Sequence, residues 1–296
     1  MYTRKAELYS DFGLFHPQNL SDLCTFKTLW HMKRLFFMIG GLLLLGSCEV
    51  EYHPYDTRID GETGIHAKQI TRIEQACAGR TALRFAVISD TQRWYDETNA
   101  VVDALNRRDD IDFVIHTGDI ADFGLRTEFE RQRDILNRLK VPYLVLIGNH
   151  DCLATGEDIY REMFGEFDFS FSAGDTHFVC LNTNSLEFDH SVSVPNLMFI
   201  EKELRNYPST CRKSFVLMHA SPKSEQFDKG LVNSFHRHVK AFPGLQCCIH
   251  GHGHSYAISD LFEDGILYIM CPQIERRAYL LFTVNDQGYE HEQVFF

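Results

Sequence analysis

The feature that most constrains the fold is a repeated junction between an apolar run and side chains that can bind metals or titrate. Five such junctions occur along the chain, at Ile88 to Asp90, Ile115 to Asp119, Ile147 to Asp151, Met218 to His219 and Ile249 to His254. Short apolar runs bounded in this way are typical of buried strands. Ligands bind at the carboxyl ends of the strands of an open α/β sheet. We therefore expect these polar side chains to converge on one site.

The spacing of the first three junctions predicts parallel strands. Asp90, Asp119 and Asn149 follow one another at intervals of about thirty residues, which is the length of a βαβ unit. Two such units in succession favour a parallel sheet. The pattern predicts strands at 84–88, 111–115, 141–147, 167–171, 177–181, 214–218 and 246–249. It predicts helices at 127–139, 158–164, 196–207 and 231–242, and the first of these begins with a capping box of Thr127 and Glu130. Three further strands, 265–270, 278–284 and 290–296, are predicted to close the chain in antiparallel order.

Composition narrows the class of substrate. The chain has 296 residues, of which 44% are hydrophobic and 24% charged, enough for one large globular domain or two small ones. Its formal charge is −12, and Lys and Arg form no basic cluster. This argues against long nucleic acids as partners, because their binding depends on clustered cations. A phosphate-bearing substrate would need local positive charge, supplied by metal ions.

The N-terminus predicts export and a lipid anchor. Lys33-Arg34 precedes an apolar stretch at 35–45, which has signal-peptide length and is too short to span a bilayer. The stretch ends in Leu45-Gly46-Ser47-Cys48, which resembles a bacterial lipobox. Cys48 is therefore the predicted lipid-bearing first residue of the mature chain, in the cell envelope at the periplasmic or the outer surface. A signal anchor and a buried apolar segment are the alternatives.

The polar side chains at the junctions have the chemistry of a divalent metal site. Carboxylate, amide and imidazole ligands together suit Mn, Fe, Zn or a similar ion. His252 and His254 lie two residues apart, so one loop can reach two metals. A central carboxylate such as Asp119 can bridge two cations, and two cations can clamp an in-line displacement at phosphorus.

Cysteine takes no part in this pattern, which argues against a structural zinc site. Of the nine cysteines, seven remain if Cys24 is removed and Cys48 carries lipid. An odd number without regular spacing is not a disulfide framework, and no pair is indicated.

Five ordered motifs carry a resemblance to a known family. They are Asp90-Thr91-Gln92 for D-x-H, Gly118-Asp119-Ile120-Ala121-Asp122 for G-D-x-x-D, Gly148-Asn149-His150-Asp151 for G-N-H-D/E, His219, and Gly251-His252-Gly253-His254 for G-H-x-H. In this order they resemble the calcineurin-like metallophosphoesterases, over most of the mature chain. The departure is Gln92, where the family usually has His; some members acting on nucleotide diphosphates and related pyrophosphates resemble this chain in carrying Gln.

The resemblance implies a role for each motif residue. The first of two divalent metal ions would be held by Asp90, Asp119 and His254, with Gln92 in the place of the usual His, and the second by Asp119, Asn149, His219 and His252. His150 would stabilise the transferring phosphoryl group or protonate the leaving oxygen, and Asp122 would orient it. The implied fold is α/β, a four-layer αββα sandwich of two mixed β-sheets flanked by helices, with the closing antiparallel strands in the second sheet.

These expectations define a predicted function and its rivals. The chain is predicted to hydrolyse a phosphate monoester, diester or pyrophosphate bond in a small substrate, through a hydroxide activated by two metals. One rival is a non-catalytic metal-binding or interaction module on the same fold. Another is a cyclic-nucleotide phosphodiesterase or nuclease. The loops at 152–176, 183–195 and 221–230 are expected to determine the substrate.

The chain is predicted to contain three segments. Residues 1–47 are an upstream extension and lipoprotein signal peptide, residues 48–80 a tether with a short helix around 68–76, and residues 81–296 the metallophosphoesterase domain. His116 and His250, which lie beside the motifs, are predicted to have structural roles.

Overall fold

The computed structural model describes residues 55–188 and 192–296, together with Trp30, Met32 and His53. Residues 54–296 belong to one compact unit. Its α-helices are α1 (Ile65–Cys77), α2 (Tyr95–Asn106), α3 (Arg126–Leu136), α4 (Gly156–Met163), α5 (Leu197–Arg205) and α6 (Val232–Lys240). Its strands are β1 (Leu83–Ile88), β2 (Phe113–His116), β3 (Tyr143–Val145), β4 (Phe169–Ala173), β5 (Thr176–Leu181), β6 (Lys213–Met218), β7 (Leu245–His250), β8 (Ala257–Asp260), β9 (Leu267–Met270), β10 (Ala278–Asn285) and β11 (Gly288–Phe295). Short 3-10 helices cover 150–152, 185–188 and 274–276.

The strands form two mixed sheets. The first has five strands in the order β11-β10-β1-β2-β3, and the second has six in the order β4-β5-β6-β7-β9-β8. The strands β1, β2 and β3 run parallel to one another, as the thirty-residue spacing predicts. In the second sheet β5, β6, β7 and β9 are parallel, and β4 and β8 are antiparallel edges.

The alternation of side chains along the strands builds four layers. Successive residues of a strand face opposite sides of its sheet, so Phe85 and Val87 pack between the two sheets while Ala86 and Ile88 pack against helices. The Phe85 ring lies 5.2 Å from that of Phe178 in the second sheet, edge to face. A third cluster fills the outer face of the second sheet beneath α5 and α6. The predicted αββα sandwich is confirmed.

The closing strands differ from the prediction. Both β10 and β11 belong to the first sheet, where β10 pairs antiparallel with β1, from Leu83 opposite Val284 to Val87 opposite Leu280. The remaining late strand, β9, lies in the second sheet, parallel to β7 and antiparallel to β8. The assignment of the closing strands to the second sheet is therefore correct for β9 and wrong for β10 and β11. The free edge of β1 is the physical reason, because its unpaired backbone groups need a neighbour.

Two local features also differ from the sequence-based expectations. The helix α1 contains the short helix predicted at 68–76, but it buries Ile65, Ile73 and Cys77, so folded structure begins before residue 81 and this part of 48–80 is not a tether. The helix α3 starts at Arg126, and the Glu128 carboxylate accepts the backbone N–H of Leu125. The cap therefore uses Glu128 and not the pair Thr127 and Glu130, because the chain enters the helix two residues earlier.

The predicted signal peptide and Cys48 lie outside the described residues. Within the part of the chain that the structure describes, no helix is both long enough and apolar enough to cross a membrane. The seven cysteines of this part are free thiols.

Candidate metal centre

The candidate site residues follow the carboxyl ends of parallel strands in both sheets. Asp90 and Gln92 follow β1, Asp119 follows β2, Asn149 and His150 follow β3, His219 follows β6, and His252 and His254 follow β7. The carboxyl ends of the two sheets lie at the same edge of the sandwich, so side chains separated by up to 164 positions, from Asp90 to His254, come together. This is the convergence that the repeated junctions predict.

The second ligand group consists of Asp119, His219, His252 and Asn149. Ligand atoms of the first three lie within 4.8 Å of one another. His219 Nε2 is 3.3 Å from Asp119 Oδ2 and 3.1 Å from Asn149 Oδ1. His252 Nδ1 is 3.0 Å from the same Asn149 oxygen. Two imidazoles, one carboxylate and one amide therefore face a common point.

The first ligand group consists of Asp90, Asp119 and His254, whose ligand atoms also lie within 4.8 Å of one another. His254 Nε2 is 3.4 Å from Asp90 Oδ1. Asp90 is fully buried, and apart from this ion pair its Oδ1 has no hydrogen-bond partner among the described residues. A buried carboxylate oxygen of this kind calls for a cation. Because Asp119 belongs to both groups, its carboxylate joins them.

Gln92 lies at the first group, with its amide nitrogen toward the site. Its Nε2 donates to Asp119 Oδ2 at 3.3 Å, and its Oε1 accepts from Gln273 Nε2 at 3.5 Å. Ligation by Gln92 requires the amide to turn by 180° about its last bond, because only the oxygen has a lone pair to donate. Gln92 is thus a predicted ligand whose metal-ligating atom, Oε1, faces away from the group.

His150 follows Asn149 of the second group in the sequence and belongs to neither ligand group. Its Nδ1 donates to the backbone carbonyl of Asp122 at 2.7 Å, so the proton of the neutral ring is on Nδ1 and the lone pair is on Nε2. The Asp122 carboxylate is 4.0 Å from that nitrogen and instead pairs with Arg93 at 2.6 Å. Asp122 thus orients His150 through its main chain, a detail that the motif alone does not reveal.

The loops that carry the ligands are tightly folded. A Cβ on Gly148 would come within 2.2 Å of Asp119 Oδ1, and one on Gly118 within 2.7 Å of His219 Nδ1, so these positions require glycine. Five candidate ligands adopt positive φ angles, at Asp90, Gln92, Asp119, His252 and His254. Non-glycine residues rarely adopt this conformation, and backbone strain of this kind clusters at functional sites.

One residue of the site was given no role from the sequence. Asp151 is fully buried, and its carboxylate accepts backbone N–H groups from Asp119 at 3.0 Å, Ala121 at 2.7 Å and Gly148 at 2.8 Å. Burial, together with the charge of Asp119, raises the pKa of Asp151 to about 7. This side chain joins the loops after β2 and β3, and its place in the G-N-H-D motif was the available signal.

The two histidines beside the motifs make structural contacts. His116 is buried, accepts the Gly118 N–H on Nδ1 at 3.1 Å and has Nε2 2.9 Å from Thr91 Oγ1. His250 is buried with Nδ1 3.0 Å from the Gly251 carbonyl. Burial lowers the pKa of each to about 4, so both are neutral at physiological pH. These contacts agree with their predicted structural roles.

The electrostatics of the second group favour a cation. Burial alone lowers the pKa of His219, but the nearby Asp119 carboxylate outweighs burial and raises it to about 9. Burial likewise raises the pKa of Asp119, and the His219 charge reverses this and lowers it. His219 Nδ1 donates to the Thr117 carbonyl at 2.9 Å, so the proton that a metal would displace is the one on Nε2. Oxygen and nitrogen donors in this arrangement fit divalent ions of the Mn, Fe and Zn type.

Metal binding to the second group is expected to release a proton at neutral pH. A protonated imidazole cannot ligate, so apparent affinity should rise about tenfold per pH unit below the His219 pKa of about 9 and level off above it. The stability of the metal-free protein should change in the opposite direction. A raised pKa stabilises the fold fully below the unfolded value of 6.5, and this contribution is lost as pH rises through about 9. Calorimetry in buffers of different ionisation enthalpy counts the proton, and a count of zero at pH 7 would contradict this assignment.

Gln92→His is expected to tighten the first group and to shift its preference toward zinc or iron. An amide oxygen is a harder and weaker donor than imidazole, so affinity should increase by about tenfold at the first group, with little change at the second. Histidine tolerates the φ of 34° at this position better than most residues. Titration calorimetry on metal-free protein measures both sites. Two equally tight sites that the substitution leaves unaltered would mean that Gln92 is not a ligand.

Fold and site together define an αββα protein with a candidate centre for divalent metals. The family model described as calcineurin-like phosphoesterase matches residues 83–256, and the chain belongs to this family. It is 24% identical over 154 residues to a protein of Nostoc sp. named 3',5'-cyclic-nucleotide phosphodiesterase, covering 50% of this chain and 57% of that one. It is 28% identical over 134 residues to a probable glycerophosphodiester phosphodiesterase of Arcobacter nitrofigilis, covering 42% and 47%. The alignments thus span about half the length of these curated relatives.

Solved structures share the fold. A dimetal phosphatase of Danio rerio superposes with a TM-score of 0.59 at 13% identity, covering 72% of this chain and 99% of that chain. A purple acid phosphatase from yellow lupin (Lupinus luteus) seeds gives a TM-score of 0.56 at 15% identity, covering 73% and 52%.

Proposed function

We propose that this protein is a metal-dependent phosphoesterase with two divalent ions, and that its substrates are small phosphate esters. The observation that carries the proposal is that two groups of ligating side chains share Asp119, whose carboxylate also accepts the backbone N–H of His150. The ions would supply the charge that activates a water molecule and neutralises phosphoryl oxygens. Because the chain has a net charge of −12, an anionic substrate depends on such local positive charge.

The side chains have distinct parts in this reaction. Asp119 directs Oδ2 toward the ligand groups, and its Oδ1 accepts the His150 backbone N–H at 2.9 Å. His150, the proposed general acid, and the shared Asp119 carboxylate are therefore held at a fixed separation. With Nδ1 bound to the Asp122 carbonyl, His150 exchanges its second proton at Nε2. That proton goes to the leaving oxygen, which is a general-acid role that histidine performs in many enzymes.

We propose phosphodiesters as the preferred substrate class. Both curated relatives are named as phosphodiesterases, and the name of one specifies 3',5'-cyclic nucleotides. A cyclic-nucleotide phosphodiesterase is thus the second candidate. The acidic composition argues against long nucleic acids as substrates.

A substrate panel tests the proposed function. Metal-free protein is reconstituted with Mn, Fe, Zn, Ni or Mg and assayed on p-nitrophenyl phosphate, bis(p-nitrophenyl) phosphate, cyclic nucleotides and a nucleoside diphosphate. We expect turnover with Mn or a similar ion, with diesters favoured over the monoester. Bound metal without turnover on any substrate would favour the rival hypothesis, a non-catalytic module on the same fold.

We further propose that the protein is anchored in the cell envelope by lipid on Cys48. The support is the order of features in the sequence, in which a basic pair and an apolar stretch of 11 residues precede Leu45-Gly46-Ser47-Cys48. Two or more acyl chains give stable attachment where one is marginal.

Cys48→Ala is expected to release the protein from membranes or to leave it unprocessed. Fractionation of cells that produce the wild type and the variant measures this, with Cys211→Ala as the control because Cys211 lies in the folded unit. Mass spectrometry that finds an unmodified Cys48 in membrane-extracted wild type would contradict the anchor.

A further inference from the structure

The loop between β6 and α6 contributes a carboxylate to the metal centre that no sequence motif marks. Glu225 lies 27 positions before His252, and its Oε1 is 3.1 Å from His252 Nε2. The other nitrogen of this imidazole, Nδ1, faces the second ligand group, 3.0 Å from Asn149 Oδ1. Glu225 and the group thus lie on opposite sides of one ring.

This contact determines which nitrogen of His252 can ligate. A carboxylate only accepts hydrogen bonds, so the neutral ring holds its proton on Nε2 and its lone pair on Nδ1. His219 is held in the same way with the nitrogens exchanged, since its Nδ1 donates to the Thr117 carbonyl at 2.9 Å. In both imidazoles of the second group, the nitrogen that faces away from the group is therefore bound to a hydrogen-bond acceptor. For His219 this acceptor is a neutral carbonyl, and for His252 it is a charged carboxylate.

Contacts within the protein hold the backbone next to Glu225. The adjacent Gln226 is buried, and its Nε2 donates to Glu187 Oε1 at 2.9 Å. Its carbonyl accepts the Leu186 N–H at 3.3 Å. Two contacts from the turn after β5 thus hold the backbone beside Glu225, although its own side chain is 75% exposed.

We propose that Glu225 is a positioning residue for the second metal, acting through His252. The carboxylate orients the ring and selects the tautomer with a free Nδ1. The inference rests on the proposed two-metal site. Loss of such an outer partner typically weakens metal binding by about 10- to 100-fold, and the exposure of Glu225 favours the lower end of that range.

Glu225→Ala tests the proposal by calorimetric titration of the metal-free protein with Mn and with Zn. The titration is also run in an Asp90→Asn background, which removes an anion of the first group and isolates the second. We expect a Kd for the second group about tenfold weaker in both backgrounds, with the first group unchanged in the otherwise wild-type protein. Glu225→Gln keeps an acceptor oxygen without the charge and should have an intermediate effect.

Glu201→Ala is the matched control, because Glu201 is also a surface carboxylate paired with an imidazole, 3.3 Å from His238 Nε2. It should leave both metal affinities unchanged. A Glu225→Ala protein that binds two ions as tightly as the wild type would overturn the inference. So would unaltered metal affinity with a raised KM at saturating metal, because Glu225 lines a cavity of 290 Å³ beside His252 and would then be a substrate contact. Wild-type protein that binds no second ion would instead overturn the proposed two-metal site itself.

Discussion

Asp119→Asn is expected to abolish turnover and to remove most of the bound metal. Asp119 is the residue common to both ligand groups, and its Oδ2 lies 3.3 Å from His219 Nε2. Asparagine keeps the shape of the side chain but has no charge, and one of its two terminal atoms is a donor. We expect kcat/KM to fall by at least about 10³-fold, because charge stabilisation and the metals are lost together. Elemental analysis after reconstitution measures the metal content.

The control for this substitution is Asp175→Asn. Asp175 is also a buried carboxylate, paired with Lys213 at 2.9 Å and Arg212 at 2.7 Å, but it lies at the amino ends of β5 and β6, the opposite edge of the sandwich. It should lower stability and leave the metal content and turnover of the folded protein intact. An Asp119→Asn protein that keeps two ions or wild-type turnover would show that Asp119 does not join two metals.

His150→Gln is expected to keep both metals and to lose most of the rate. His150 belongs to neither ligand group, and its Nδ1 is engaged by the Asp122 carbonyl at 2.7 Å. Glutamine cannot donate and regain a proton near neutral pH, so kcat should fall by about 10²- to 10⁴-fold. Steady-state kinetics at saturating metal, with elemental analysis of the same preparation, separates the rate from the metal content.

Two further variants bracket the His150 result. His238→Gln replaces a histidine on α6 that contacts Glu201 and the Ser234 carbonyl, and it should leave kcat unchanged. Asp122→Asn should cost much less than His150→Gln, because the Asp122 carbonyl and not its carboxylate orients the ring. Loss of metal from the His150→Gln protein would show that His150 is a ligand. Equal losses of kcat in the His150→Gln and Asp122→Asn proteins would show that the Asp122 carboxylate is required.

The sequence predicted the parts of the site that depend on local order. An apolar run that ends at a ligating side chain predicts both a buried strand and what its carboxyl end presents, so Asp90, Asp119, Asn149, His219 and His252 could be named in advance. The interval of about thirty residues predicted the parallel order of β1, β2 and β3. Both signals are local, since they depend on residue type and spacing within one βαβ unit.

Contacts between distant segments were not predictable in this way. The motif gave Asp122 a role toward His150 but could not distinguish its carbonyl from its carboxylate, because that choice follows from where Arg93 lies. Glu225 has no motif, and only the packing of its loop brings it to His252. Gln92 was assigned as a ligand by position, whereas its hydrogen bonds to Asp119 and Gln273 determine which amide atom faces the site.

The sequence by itself determined the fold class, the family motifs and the strand ends that carry the candidate ligands, because backbone sterics and hydrophobic periodicity operate over a few residues. The tertiary structure alone decided that β10 and β11 complete the first sheet, and that Asp151 joins two ligand loops through three backbone N–H groups. Strand pairing and buried hydrogen bonds form between segments far apart in the chain. The free energies of these contacts depend on which backbone groups and strand edges remain without hydrogen-bond partners in the whole fold. A local sequence pattern does not contain this information.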